Sequence, residues 1–81
     1  MSAPIEFLLR GQYITLDALL KATGLAESGG RAKAMVAAGQ VQVDGQPELR
    51  KTRKLRAGQL VVLAGTRIRI LAESATEGKP G

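Results

Sequence analysis

The chain has 81 residues, with 12 Lys and Arg against seven Asp and Glu, so its net charge is +5 and its isoelectric point is near 10.3. It contains no Cys, His or Trp, and only one Tyr and one Phe. These counts exclude disulfide scaffolds, Cys/His zinc sites, haem attachment, thiol nucleophiles and every His-based catalytic pair. Two aromatics also fall short of the stacking platforms that splay single-stranded RNA.

The length fits one domain, against the usual prior of roughly 100–200 residues per domain. A hydrophobic share of 44% suits a globular core and is too high for a disordered basic tail. No apolar run approaches the roughly 18 residues of a membrane span. Met1-Ser2-Ala3-Pro4 lacks a basic start and a long apolar stretch, so no signal peptide is expected, and a cytoplasmic location fits.

Ile5, Phe7 and Leu9 alternate with Glu6 and Leu8, predicting a short opening strand closed by Arg10-Gly11. Thr15 is placed to cap a first helix with Asp17 in its first turn. Leu16, Leu19 and Leu20 give that helix its apolar stripe, and Gly24 ends it. Ser28 is a second N-cap; Ala32, Met35 and Val36 line the second helix, which stops at Gly39. From Gln40 the period changes to that of strands. Val41 and Val43 lead into the hairpin turn Asp44-Gly45, with Pro47 just beyond. Residues 48–56 read as a basic connector or irregular strand. Arg56-Ala57-Gly58-Gln59 is a turn, Leu60 to Leu63 a strand, and Gly65-Thr66 a tight turn into a last strand. There Ile68 and Ile70 face in and Arg67 and Arg69 face out. Residues 73–81 read as a disordered polar tail.

The charge is concentrated. Residues 1–24 are neutral, whereas Arg50, Lys51, Arg53, Lys54 and Arg56 put five bases in seven positions with no acid among them. Self-repulsion in such a run, without local counter-ions, favours an anionic ligand over a merely solvated surface. The second helix opens on Ser28-Gly29-Gly30, followed by Arg31 and Lys33. Gly costs about 1 kcal/mol relative to Ala inside a helix, and cations near a helix N-terminus oppose the dipole by about 0.3–1 kcal/mol each. Two readings stand: the glycines let an anion approach free backbone amides, or they extend the preceding loop and the helix begins at Arg31. Two residues apart, Arg31 and Lys33 lie roughly 160° around the helix and flank its buried stripe on opposite sides. Glu6, Asp17, Glu27, Asp44 and Glu48 are dispersed and form no pair suited to acid–base work, and no GxxxxGK phosphate loop occurs. No enzyme emerges.

Thr15-Leu16-Asp17-x-x-Leu20, then Ser28-x-x-x-Ala32-x-x-x-Val36-x-x-Gly39-x-Val41-x-Val43-Asp44-Gly45, then Gly58-Gln59, resembles the RNA-binding domain of ribosomal protein S4, the αL motif. Glu27-Ser28-Gly29, Ala32-Lys33 and Glu48-x-Arg50-Lys51 look most like its small stand-alone YbcJ-like group. The resemblance covers about residues 5–72. Many members carry Arg where this chain has Gly29, and often Asn where it has Asp44.

The resemblance implies an α+β fold, two helices packed on a small, mainly antiparallel sheet, with bases of the second helix and the following loop facing RNA. The expected organisation is one domain over 1–72 and a tail over 73–81. The expected function is recognition of structured RNA, ribosomal or transfer RNA, through phosphate and shape, without catalysis, cofactor, metal or membrane, and as a monomer. Candidate contacts are Ser28, Gly29, Gly30, Arg31, Lys33, Arg50, Lys51, Arg53, Lys54 and Arg56. The alternative is a module that docks an acidic, ribosome-associated protein; duplex DNA is a third partner to test.

Overall fold

The computed structural model describes residues 4–72. The tail expected over 73–81 lies outside them.

The alternation at the start forms β1 (Ile5–Leu9), with Leu9 buried and Glu6 and Leu8 exposed. A two-residue strand β2 (Ile14–Thr15) runs directly into α1 (Leu16–Ala22), whose Leu16, Leu19 and Leu20 are fully buried. The Thr23 hydroxyl donates to the Leu19 carbonyl at 2.9 Å, and Gly24 follows at φ +81°, where only glycine turns without strain. The second helix, α2 (Gly29–Ala37), buries Ala32 and Val36 and packs on α1. Gly29 and Gly30 belong to this helix, so the reading in which they extend the loop does not hold.

The C-terminal half supplies β3 (Val41–Val43), β4 (Gln46–Pro47), β5 (Lys54–Leu55), β6 (Leu60–Leu63) and β7 (Thr66–Ala72). Asp44 and Gly45 make the predicted hairpin turn with φ of 53° and 86°, the pair of positive values whose twist suits a tight hairpin. The second hairpin turns one residue earlier than expected. Ala64 and Gly65 adopt φ of 50° and 84°, and Thr66 is already paired with Leu63. A turn at Gly65-Thr66 would put the β-branched Thr66 at positive φ; with the turn at Ala64-Gly65 the L-residue in that region is an alanine, at about 1–2 kcal/mol, and Ile68 and Ile70 face inward.

The main sheet has the order β1-β7-β6-β3-β4. Its β3–β4, β3–β6 and β6–β7 pairings are antiparallel, and β1 lies parallel to β7 with Ile5 opposite Ile68. The sheet is therefore mixed, with three of its four pairings antiparallel and the β1–β7 pairing parallel. Leu9, Val41, Val43, Val61, Leu63, Ile68 and Ile70 form its inner face and join the helix leucines and Leu55 in one core. A separate small ladder pairs β2 with β5, Ile14 opposite Leu55 and Thr15 opposite Lys54. No helix among the described residues is long and apolar enough to cross a membrane.

Candidate nucleic-acid interface

The five bases between Arg50 and Arg56 lie on a loop fixed at three points. At its start, the Glu48 amide donates to the Val41 carbonyl at 3.0 Å and turns the Glu48 side chain inward, where it is 8% exposed. Its carboxylate accepts from the Arg50 amide at 3.0 Å, from Arg50 Nε at 3.2 Å and from an Arg53 guanidinium nitrogen at 2.8 Å. Burial alone would raise the Glu48 pKa, but these donors together outweigh it and hold the carboxyl below its usual value. The expectation of a run without a counter-ion is thus overturned. Glu48 neutralises part of Arg50 and Arg53 from two and five positions upstream, near enough in sequence to have been read as part of the run.

In its middle the loop sits on the N-terminus of α1. The Leu16 amide donates to the Arg53 carbonyl and the Asp17 amide to the Lys51 carbonyl, both at 2.9 Å. Thr15 is the N-cap residue, as expected, yet its side chain makes no capping hydrogen bond. The β2–β5 ladder brings the loop's carbonyls over the helix end, and they satisfy the orphan amides that a threonine hydroxyl would otherwise take. At the end of the loop, Gln59 Oε1 accepts from the Arg56 amide at 2.8 Å while Gln59 Nε2 donates to the Asp44 carboxylate at 3.0 Å. The other Asp44 oxygen accepts from the Leu60 amide at 3.0 Å. Those two hydrogen bonds, from Gln59 first and Leu60 second, lower the Asp44 pKa. Asp44 therefore does more than shape its turn: it ties the hairpin to the exit of the basic loop.

With its backbone held, the loop presents its cations in different ways. Arg50, Thr52, Arg53 and Lys54 line a shallow hollow of about 290 Å³. The Lys54 ammonium lies 5.0 Å from the centre of the Tyr13 ring. Lys51 and Arg56 are exposed and form no ion pair among the described residues.

The start of α2 is built more simply. Ser28 is extended, and its hydroxyl accepts from the Arg31 amide at 3.2 Å, the predicted cap. A Cβ placed on Gly29 would meet nothing within 4 Å, and one on Gly30 only the Ser28 hydroxyl at 3.9 Å. Neither glycine has a positive φ, so the fold itself does not require them. Arg31 and Lys33 are exposed. Arg31 lines a hollow with Ala34, Met35, Ala38 and Gln40, and no residue of the 50–56 run takes part in it. The two groups of candidates meet the scaffold at different ends of α1. Its N-terminal amides carry the loop, and its C-terminal end leads through Gly24 to Ser28.

A family model described as the S4 domain matches residues 7–71. The candidate RNA-binding protein YbcJ of Escherichia coli K12 is 47% identical over 60 residues, covering 74% of this chain and 86% of that protein. YbcJ of Shigella flexneri matches to the same extent, 47% over 60 residues. The solution structure of E. coli YbcJ, described as revealing an αL motif involved in RNA binding, superposes with a TM-score of 0.69 at 44% identity, over 89% of this chain and 92% of that one. By sequence over most of its length and by architecture, the chain belongs to the S4 domain family.

Proposed function

We propose that this chain is a non-catalytic RNA-binding domain that grips structured RNA, ribosomal or transfer RNA, by its phosphates. The observation that carries the reading is the clamped basic loop. Lys51, Lys54 and Arg56 carry no carboxylate partner among the described residues, on a backbone already fixed by Glu48, by α1 and by Gln59. Fixing a loop before binding removes an ordering cost that the ligand would otherwise have to offset. The naming of YbcJ as a candidate RNA-binding protein, and the description of its αL motif, support the same reading. Arg50 and Arg53 add a partly neutralised pair, and Arg31 and Lys33, with the bare amides at Gly29 and Gly30, extend the surface.

Neutralising about four to six phosphates gives a slope of log K against log salt of roughly −3 to −5. A titration with a ribosomal stem–loop or a transfer RNA measures it, and a slope near zero overturns the mechanism. Lys51→Ala with Arg56→Ala is expected to make the slope shallower by about 2. If charge reversal at Lys51 and Arg53 abolishes capture of proteins from extract and leaves RNA affinity intact, the acidic-partner reading replaces this one. Equal affinity for duplex DNA refutes selectivity for RNA.

A further inference from the structure

The chain's single Tyr and single Phe, distant from each other in type of element and few enough to dismiss by count, line the same groove. Phe7, Leu8, Leu9, Arg10, Tyr13 and Ile14 enclose an open hollow of about 400 Å³ between the end of β1 and the start of β2. Two of the three large apolar residues left exposed among the described residues belong to it, Leu8 at 48% and Tyr13 at 44%. Neither completes the core. Lys54 reaches Tyr13 from across the small ladder, its ammonium 5.0 Å from the ring centre. It thereby joins the groove to the basic loop.

We infer that this groove receives one unpaired nucleobase of the bound RNA, stacked on Tyr13, while Lys54 meets the phosphate beside it. The inference rests on the RNA-binding reading and adds a class of target, a duplex interrupted by an extruded base. Charge complementarity selects the occupant. A nucleotide offers a flat π face for the ring and an anion for the ammonium next to it, whereas an apolar peptide segment fills the groove and offers no anion to the Lys54 ammonium. A Tyr ring has two faces, and an ammonium over one leaves the other for a base. The phosphate surface then fixes the RNA, and one aromatic registers it at the defect.

With one Tyr and no Trp in the chain, intrinsic tyrosine emission reports on position 13 alone. The probes are a stem–loop RNA with one bulged adenosine and the same stem fully paired. The expected result is quenching of emission by the bulged stem–loop and not by the paired one. Tyr13→Leu is expected to weaken binding of the bulged RNA by roughly 5- to 100-fold, the loss that accompanies one stacked base, with Tyr13→Phe retaining most of the affinity and the paired stem bound equally by all three. Bulged RNA bound without quenching, or with the same affinity by Tyr13→Leu, overturns the inference while leaving the phosphate reading in place. If neither RNA binds even at low salt, the RNA-binding reading fails and the inference falls with it.

Discussion

The loop from Glu48 to Arg56 and the start of α2 both collect cations, but the scaffold treats them differently. The loop is held by a buried carboxylate at its entry, two helix amides in its middle and a glutamine side chain at its exit, and Leu55 anchors it in the core with no exposed surface. The start of α2 is held by one hydroxyl, and its glycines face open space. In the first region the protein has already spent its own acceptors to fix the geometry of positive charge. In the second it leaves backbone donors bare. A preorganised cationic surface and an unfilled amide surface make different demands on stability, and substitutions separate them.

The largest effect is expected at Leu55. It is the single apolar residue within the basic run and is fully buried. Leu55→Ala is expected to cost about 2–5 kcal/mol, as for other buried leucines truncated to a cavity, out of a total near 4–12 kcal/mol for a domain of 81 residues at about 0.05–0.15 kcal/mol per residue. Urea unfolding measures it. A loss under 1 kcal/mol would show that the loop is not anchored through the core.

Glu48 comes next. Glu48→Ala removes three donors' shared acceptor; because Arg50 and Arg53 can turn to water, about 1–3 kcal/mol is expected, not the larger penalty of a fully buried broken pair. The linkage has a definite sign. Glu48 and Asp44 have folded pKa values depressed below 4.5 and 3.8, so the stability they supply is complete above those values and is lost as pH falls through the depressed ones. Melting temperature followed from neutrality into acid should fall in that window, less steeply in Glu48→Gln than in the native chain. An identical acid limb in the two proteins would remove Glu48 from the account.

What the sequence made legible is what neighbours in the chain decide. Ser28 caps, Asp44-Gly45 turns, the leucines of α1 share a face and the β7 isoleucines alternate with arginines, because each follows from residues within a few positions. The rest depends on partners brought from far away. The parallel pairing of β1 with β7 joins the two ends of the described chain. Thr15 loses its capping bond to carbonyls more than thirty residues on, at Lys51 and Arg53. Glu48 reads in the sequence as one of several scattered acids, although its spacing of two to Arg50 and five to Arg53 is itself a signal. Tyr13 and Phe7 were a small count, and only the fold gives them a common groove.

The smallest effect is the one that tests why α2 begins as it does. Gly29 and Gly30 are helical, lack positive φ and have room for a Cβ. Alanine at both positions therefore adds no clash, and it removes backbone freedom from the unfolded chain. Each change is expected to stabilise the domain by about 0.4–1 kcal/mol, near the lower end because the first helical turn is partly solvated. If the glycines exist for close approach of a phosphate to the amides of the first turn, the same alanines are expected to weaken RNA binding while raising the melting temperature, because each methyl group adds bulk beside those amides. Lys51→Ala gives the contrasting signature, with affinity and salt slope reduced and stability nearly unchanged. A double alanine variant that gains stability and binds RNA as tightly as the native chain would confine the phosphate surface to the loop and to whatever Arg31 and Lys33 reach as side chains.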